Sequence, residues 1–90
     1  MELSERYIQK LEKEGFMSVY EEQDAAGKVY SERISKGKVS ILVTDGSLTF
    51  TMSGREKVVA AGQRFDIPPS TTYSQVAGPL GAIYIVGEMD

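Results

Sequence analysis

The period of apolar and polar positions changes once along the chain, at Gly15. Before it, Leu3, Tyr7, Ile8 and Leu11 recur at helical spacing, with Arg6, Gln9, Lys10 and Lys13 on the other side. Ser4 is placed as the N-cap, with Leu3 and Ile8 forming a hydrophobic staple around it. Glu5 in the first turn and Lys10 and Lys13 in the last suit the helix dipole. Gly15 supplies the C-terminal stop. The pattern predicts a helix over 4–14, covering one face or one open end of the domain.

Beyond Gly15 the period falls to two, and turn residues interrupt it at short intervals. Strands are predicted over 16–22, 29–35, 39–44, 47–52, 57–60, 65–67, 71–76 and 82–86. Between them lie Asp24-Ala25-Ala26-Gly27, Lys36-Gly37-Lys38, Ser53-Gly54, Ala61-Gly62, Pro68-Pro69 and Gly78-Pro79-Leu80-Gly81 as turns. Asp45-Gly46 is the strongest hairpin signal of all. Alternation puts Leu48, Phe50 and Met52 on one face, as it does Ile41 with Val43 and Phe65 with Ile67. These are core positions. Arg64 points outward by the same rule and reads as surface. Many short strands without intervening helices indicate an all-β sandwich or barrel rather than a βαβ fold. The expected organisation is an N-terminal helix over 1–15 and a single β-barrel domain over 16–90.

Composition narrows the chemistry. A chain of 90 residues and 9.9 kDa builds one core. It has no cysteine, which excludes disulfides, thiolate metal sites and cysteine nucleophiles. It has no histidine, so the commonest metal ligand and the usual neutral-pH general base are missing. Ten basic against thirteen acidic residues leave a net charge of −3, with no basic cluster to meet a phosphate backbone. Ser70-Thr71-Thr72 offers hydroxyls but no histidine to activate them, and Lys36-Gly37-Lys38 reads as a solvated turn. The acidic start, Met1-Glu2-Leu3-Ser4-Glu5, is no signal peptide, and the apolar runs are too short for a bilayer. The expectation is a cytoplasmic protein that contacts neither nucleic acid nor membrane.

Two spaced motifs then stand out. Gly27 is followed after five residues by Arg33-Ile34-Ser35, after three more by Val39, and after six more by Gly46. Gly62 is followed after five residues by Pro68, then Ser70, Tyr73 and Ala77. Fifteen residues separate Gly46 from Gly62. In these intervals the chain resembles the cupin superfamily. The resemblance implies a double-stranded β-helix, or jelly-roll, barrel preceded here by the short helix. Four positions correspond to the family's metal ligands: Arg33, Ser35, Val39 and Tyr73. A guanidinium has no lone pair to donate, valine has no donor, a serine hydroxyl is a poor ligand and tyrosine must first lose a proton. The resemblance therefore implies a barrel without metal or other cofactor. Glu21, Glu22 and Asp66 could still meet hard cations, but their spacing forms no binding loop.

Arg33, Ser35, Val39 and Tyr73 are the candidate ligand-binding residues, placed by the resemblance in the barrel interior; none is assigned as catalytic. An inward guanidinium with two hydroxyls suits a carboxylate or phosphate. The competing expectation pairs Arg33 with Glu32, Glu21 or Glu22 at the rim and packs Tyr73 in the core. Two function classes result. One is a metal-free module that binds a small, anionic molecule or serves in sensing and association, without catalysis. The alternative is a metal-independent isomerase or epimerase using Tyr73 and a nearby carboxylate, as some cupin-like epimerases work without metal. The balance leans away from catalysis. The resemblance also implies a homodimer, and the apolar strand Ile83-Tyr84-Ile85-Val86 is the edge expected to need cover.

Overall fold

The chain begins, in the computed structural model that describes residues 3–89, with helix α1 (Leu3–Lys13). Six strands come after it: β1 (Ser18–Asp24), β2 (Val29–Ile34), β3 (Val39–Met52), β4 (Arg55–Ala60), β5 (Arg64–Ile67) and β6 (Thr72–Glu88). The side chains of Leu3 and Ser4, expected to staple and cap the helix, lie outside the described residues.

The end of α1 is set by its sequence. Gly15 adopts φ +103°, Gly15 N–H donates to Glu12 O, and Phe16 N–H reaches back to Leu11 O, both at 3.1 Å. This pairing satisfies carbonyls that the helix leaves open and sets Phe16 beside Leu11. Both are buried against Leu42 and Ile85 of the sheet, with Tyr7, Ile8 and Val19 packed around them. Burial of each of the two large side chains contributes roughly 1.5–3 kcal/mol. The helix covers the outside of the barrel and belongs to the same packed body as the strands.

Two long strands organise the rest. β3 and β6 pair antiparallel from Val39↔Glu88 to Thr51↔Ser74. The first half of β3 also pairs β5, and its second half pairs β4. The second half of β6 pairs β1, and its first half pairs β2. Two four-stranded layers result, β1-β6-β3-β5 and β2-β6-β3-β4, joined through the long strands. Their inward residues form one cluster, including Val39, Ile41, Val43, Leu48, Phe50 and Tyr73. Phe50 stacks at a tilt on Phe65 at 5.0 Å.

Three expectations are corrected by the pairing. Asp45-Gly46 is no hairpin: it lies inside β3, because both flanking segments pair with β6. Gly78-Pro79-Leu80-Gly81 likewise lies inside β6. The register slips between Val43 and Asp45 and between Gly46 and Leu48, and the bulged Thr44 satisfies its hydroxyl on Ile83 O at 3.0 Å. Gly46 (φ +75°) meets Gly81 (φ +80°) where the strands bend, and a Cβ on Gly46 would strike Gly81 O. Finally, Ile83–Val86 is not an edge, since β1 and β3 flank it on both sides.

Arg64 does point outward, yet it is half-buried and does more than solvate the surface. Its Nη1 and Nη2 donate to Glu14 Oε2 and Oε1 at 3.1 and 2.9 Å, and its Nε donates to Asp66 Oδ1 at 2.9 Å. It fastens the end of α1 to β5. Both carboxyls sit below their usual values. For Glu14 the cause is the hydrogen bond from Arg64; for Asp66 burial opposes the charge, but the Arg64 bond and the Arg64 and Lys38 charges outweigh it.

Candidate functional site

A cavity of about 470 Å³ enters the barrel between β1 and β2, and the inward residues of β3 and β6 form its floor. Strand alternation delivers most of its walls, and a bulge between Tyr30 and Arg33 turns both of these to the same side. Tyr20 and Glu22 come from β1, Tyr30 and Arg33 from β2, and Tyr73, Gln75 and Tyr84 from β6. The four residues that the family resemblance singled out, Arg33, Ser35, Val39 and Tyr73, all line it. The structure therefore brings together positions that lie up to forty residues apart in sequence.

Their roles diverge. Ser35 is buried and its hydroxyl is fully engaged: Oγ donates to Pro68 O at 2.7 Å and accepts from Thr71 N–H at 3.1 Å. It ties the β2–β3 connection to the β5–β6 connection. Val39 is buried core. Tyr73 is buried with its ring 6.2 Å from Phe50, and its hydroxyl makes no hydrogen bond among the described residues. Arg33 is exposed at the mouth, directly across from Tyr73 in the β2–β6 register. Its guanidinium stands over the Tyr30 ring, 4.5 Å from the centroid. It forms no ion pair among the described residues, with Glu32, Glu21, Glu22 or any other acid.

Below these sits a network that the sequence did not reveal. Asp24, expected in a turn, ends β1 and is only 5% exposed. Tyr30 Oη donates to its Oδ1 at 2.9 Å and Tyr84 Oη to its Oδ2 at 2.7 Å. Gln75 Nε2 donates in turn to Tyr84 Oη at 3.0 Å. Both carboxylate oxygens are thus held, and the two tyrosine rings are fixed as cavity walls. The available signal was alternation: Gln75 lies two residues from Tyr73 on one strand, and so shares its face.

Every tyrosine around the cavity is pushed toward its protonated form. Burial raises Tyr73, with the nearby Arg33 charge opposing. Burial, then the Glu88 carboxylate, pushes Tyr20 up to about 12. The hydrogen bond to Asp24 raises Tyr30, and burial followed by Asp24 raises Tyr84. At neutral pH these groups are neutral phenols. The donor set is a poor fit to a transition metal on its chemistry: Arg33 and Val39 offer no lone pair, and the Ser35 hydroxyl is committed to backbone. Among the described residues, no three Asp, Glu, His or Cys side chains are grouped to hold a metal ion. Glu21 is exposed, and Asp66 is engaged by Arg64 and Lys38 outside the barrel.

No family model and no curated protein matches this sequence. Solved structures do. An RmlC-like cupin from Shewanella frigidimarina aligns at 23% identity and TM-score 0.68, covering 77% of this chain and 61% of that one. A structural-genomics protein of unknown function from Rhizobium leguminosarum aligns at 16% identity and TM-score 0.73, covering 84% and 76%. The cupin domain of Cnp3 from Schizosaccharomyces pombe aligns at 19% identity and TM-score 0.71, covering 86% and 55%. The chain thus spans about three-fifths of the Shewanella protein and just over half of the yeast chain. At these identities the likeness speaks for architecture. With its two layers joined by long bent strands and its cavity at one end, the chain has the cupin fold.

Proposed function

We propose that the chain is a metal-free cupin-like module that holds a small anionic molecule in the barrel cavity, without catalysing its conversion. The observation that carries this reading is the facing pair of Arg33 and Tyr73 on adjacent strands at the cavity mouth, a guanidinium and a phenol that are both unpaired among the described residues. A guanidinium fork meets a carboxylate or phosphate with two parallel hydrogen bonds, and a neutral phenol adds a third donor. Acid–base chemistry finds less support. Asp24 is the buried carboxylate nearest in kind to a base, but tyrosine hydroxyls occupy both its oxygens.

The test is thermal unfolding of the untagged protein with acetate, succinate and phosphate, against sodium chloride at equal ionic strength. Stabilisation by at least one of the three anions, lost in Arg33→Ala and weakened in Tyr73→Phe, is the expected result. Equal unfolding in every salt would overturn the reading. Stoichiometric metal in the purified protein, lost together with the thermal shift on chelation, would replace it with a metal site.

The partner side of the reading is a second copy of the chain, meeting at the outer face of the layer β2-β6-β3-β4. The helix covers the outer face of the other layer and leaves this one bare. Val29, Val76, Thr49 and Val58 pair in sequence across four strands, forming one uncharged row. The three valines are 58%, 38% and 58% exposed. Two copies that each carry a net charge of −3 approach with least repulsion through such a face.

A further inference from the structure

Around the cavity the unused hydrogen-bonding capacity lies on two neighbouring rungs of one ladder. Arg33 and Tyr73 face each other across β2 and β6, and Tyr30 and Gln75 face each other on the next inward rung. Gln75 is 1% exposed, and only its amide nitrogen is engaged, on Tyr84. Its Oε1 accepts no hydrogen bond among the described residues. Among the described residues, the side-chain atoms sealed away without a partner are Tyr7 Oη and Ser40 Oγ. The free oxygen of Gln75 therefore opens onto the cavity rather than into packed core. A buried acceptor without a donor costs about 1–3 kcal/mol, so the site favours an occupant that supplies one.

Two residues along an antiparallel strand span about 7 Å, which sets the distance between the rungs. At the outer rung stand a positive fork and a phenol; at the inner rung stands a lone acceptor. Between them the walls are aromatic. Tyr30 and Tyr84 hold their hydroxyls on Asp24, so their rings are fixed and line the cavity without a free polar tip, and the Tyr30 ring already carries the Arg33 and Lys28 cations over it. A flexible aliphatic anion would gain little from these aromatic walls, whereas a flat ring gains burial against them and stacks on the planar guanidinium.

We propose that the cavity selects an aromatic carboxylate bearing a hydroxyl or amino donor on the far side of its ring. The carboxylate meets Arg33 and the Tyr73 hydroxyl, the ring lies between the tyrosine walls, and the donor reaches Gln75 Oε1. This inference rests on the anion-binding reading above and adds the shape and polarity of the ligand.

The experiment measures calorimetric binding of four probes to the wild-type protein: 4-hydroxybenzoate, benzoate, 4-hydroxybenzyl alcohol and succinate. The expected result is 4-hydroxybenzoate at least tenfold tighter than each of the other three. In Gln75→Met the advantage over benzoate collapses to less than threefold, and in Arg33→Met the advantage over the alcohol collapses likewise. The four-probe comparison decides the matter on wild-type protein even where a substitution at buried Gln75 prevents folding. Succinate as tight as 4-hydroxybenzoate overturns the inference and leaves anion binding standing. Benzoate as tight as 4-hydroxybenzoate overturns the role of Gln75. Tightest binding of the alcohol, or no binding by any of the three anions, overturns this inference and the anion reading together.

Discussion

Ser35 and Arg33 illustrate how two residues in the same motif come to opposite uses. Both line the cavity, but the Ser35 hydroxyl is committed to backbone, donating to Pro68 O and accepting from Thr71 N–H. Ser35→Ala removes that tie and leaves the Thr71 N–H without its partner, at an expected cost of about 2 kcal/mol. Chemical denaturation checks this. Binding of the anionic probes to the folded variant is expected to match wild type within threefold, because the one proton of Ser35 Oγ is already donated to backbone and none is left for an anion. Arg33 lies at the opposite extreme: it is exposed, stacked on Tyr30 and paired with no carboxylate among the described residues, so its loss touches binding and spares stability.

At the scale of elements, the attachment of α1 depends on one apolar seam and one charged clamp. Leu11 and Phe16 pack into the sheet, while Arg64 joins Glu14 to Asp66. Because the folded carboxyls lie below their unfolded values, the clamp stabilises the fold above the ordinary carboxylate range near pH 4. Its contribution disappears as pH falls through the lower, folded values. Arg64→Met is therefore expected to destabilise at pH 7, with the Arg64–Asp66 pair worth about 1 kcal/mol at this exposure. The gap between the wild-type and variant unfolding midpoints should close as pH falls from 5 to 3. A gap that widened in acid would show that the pairing is not what the substitution removes.

For the whole molecule, the asymmetry between the two layers is the leading feature. One outer face is covered by the helix, and the other presents the uncharged row of Val29, Val76, Thr49 and Val58. Sedimentation of the wild type is expected to show a concentration-dependent dimer. Val76→Lys places a charge in the middle of the row and should yield a monomer, with unfolding stability changed by no more than about 0.5 kcal/mol. A wild type that stays monomeric throughout sinks the dimer. No helix among the described residues is long and apolar enough to cross a membrane.

Much of this was legible from local pattern. The helix and its stop at Gly15, the β character of the remainder and the inward faces of Leu48 with Phe50 and of Ile41 with Val43 derive from periodicity, which local geometry imposes on any chain. The resemblance carried by the motif intervals implied that Arg33, Ser35, Val39 and Tyr73 share the barrel interior, and all four line one cavity. Other features depended on contacts between distant segments. Asp45-Gly46 carries a strong local turn signal, yet β6 pairs on both sides of it and turns a hairpin into a bend within one strand. Asp24 carries no sign of burial; it becomes a buried acceptor because Tyr30 and Tyr84 arrive from two other strands with hydroxyls to satisfy it. Arg64 reads as surface until Glu14 is folded back beside it. Periodicity and spacing specify which side of its own strand a residue faces. Which groups meet there is decided by the pairing of β3 and β6, since hydrogen bonds and burial depend on partners that no local window contains.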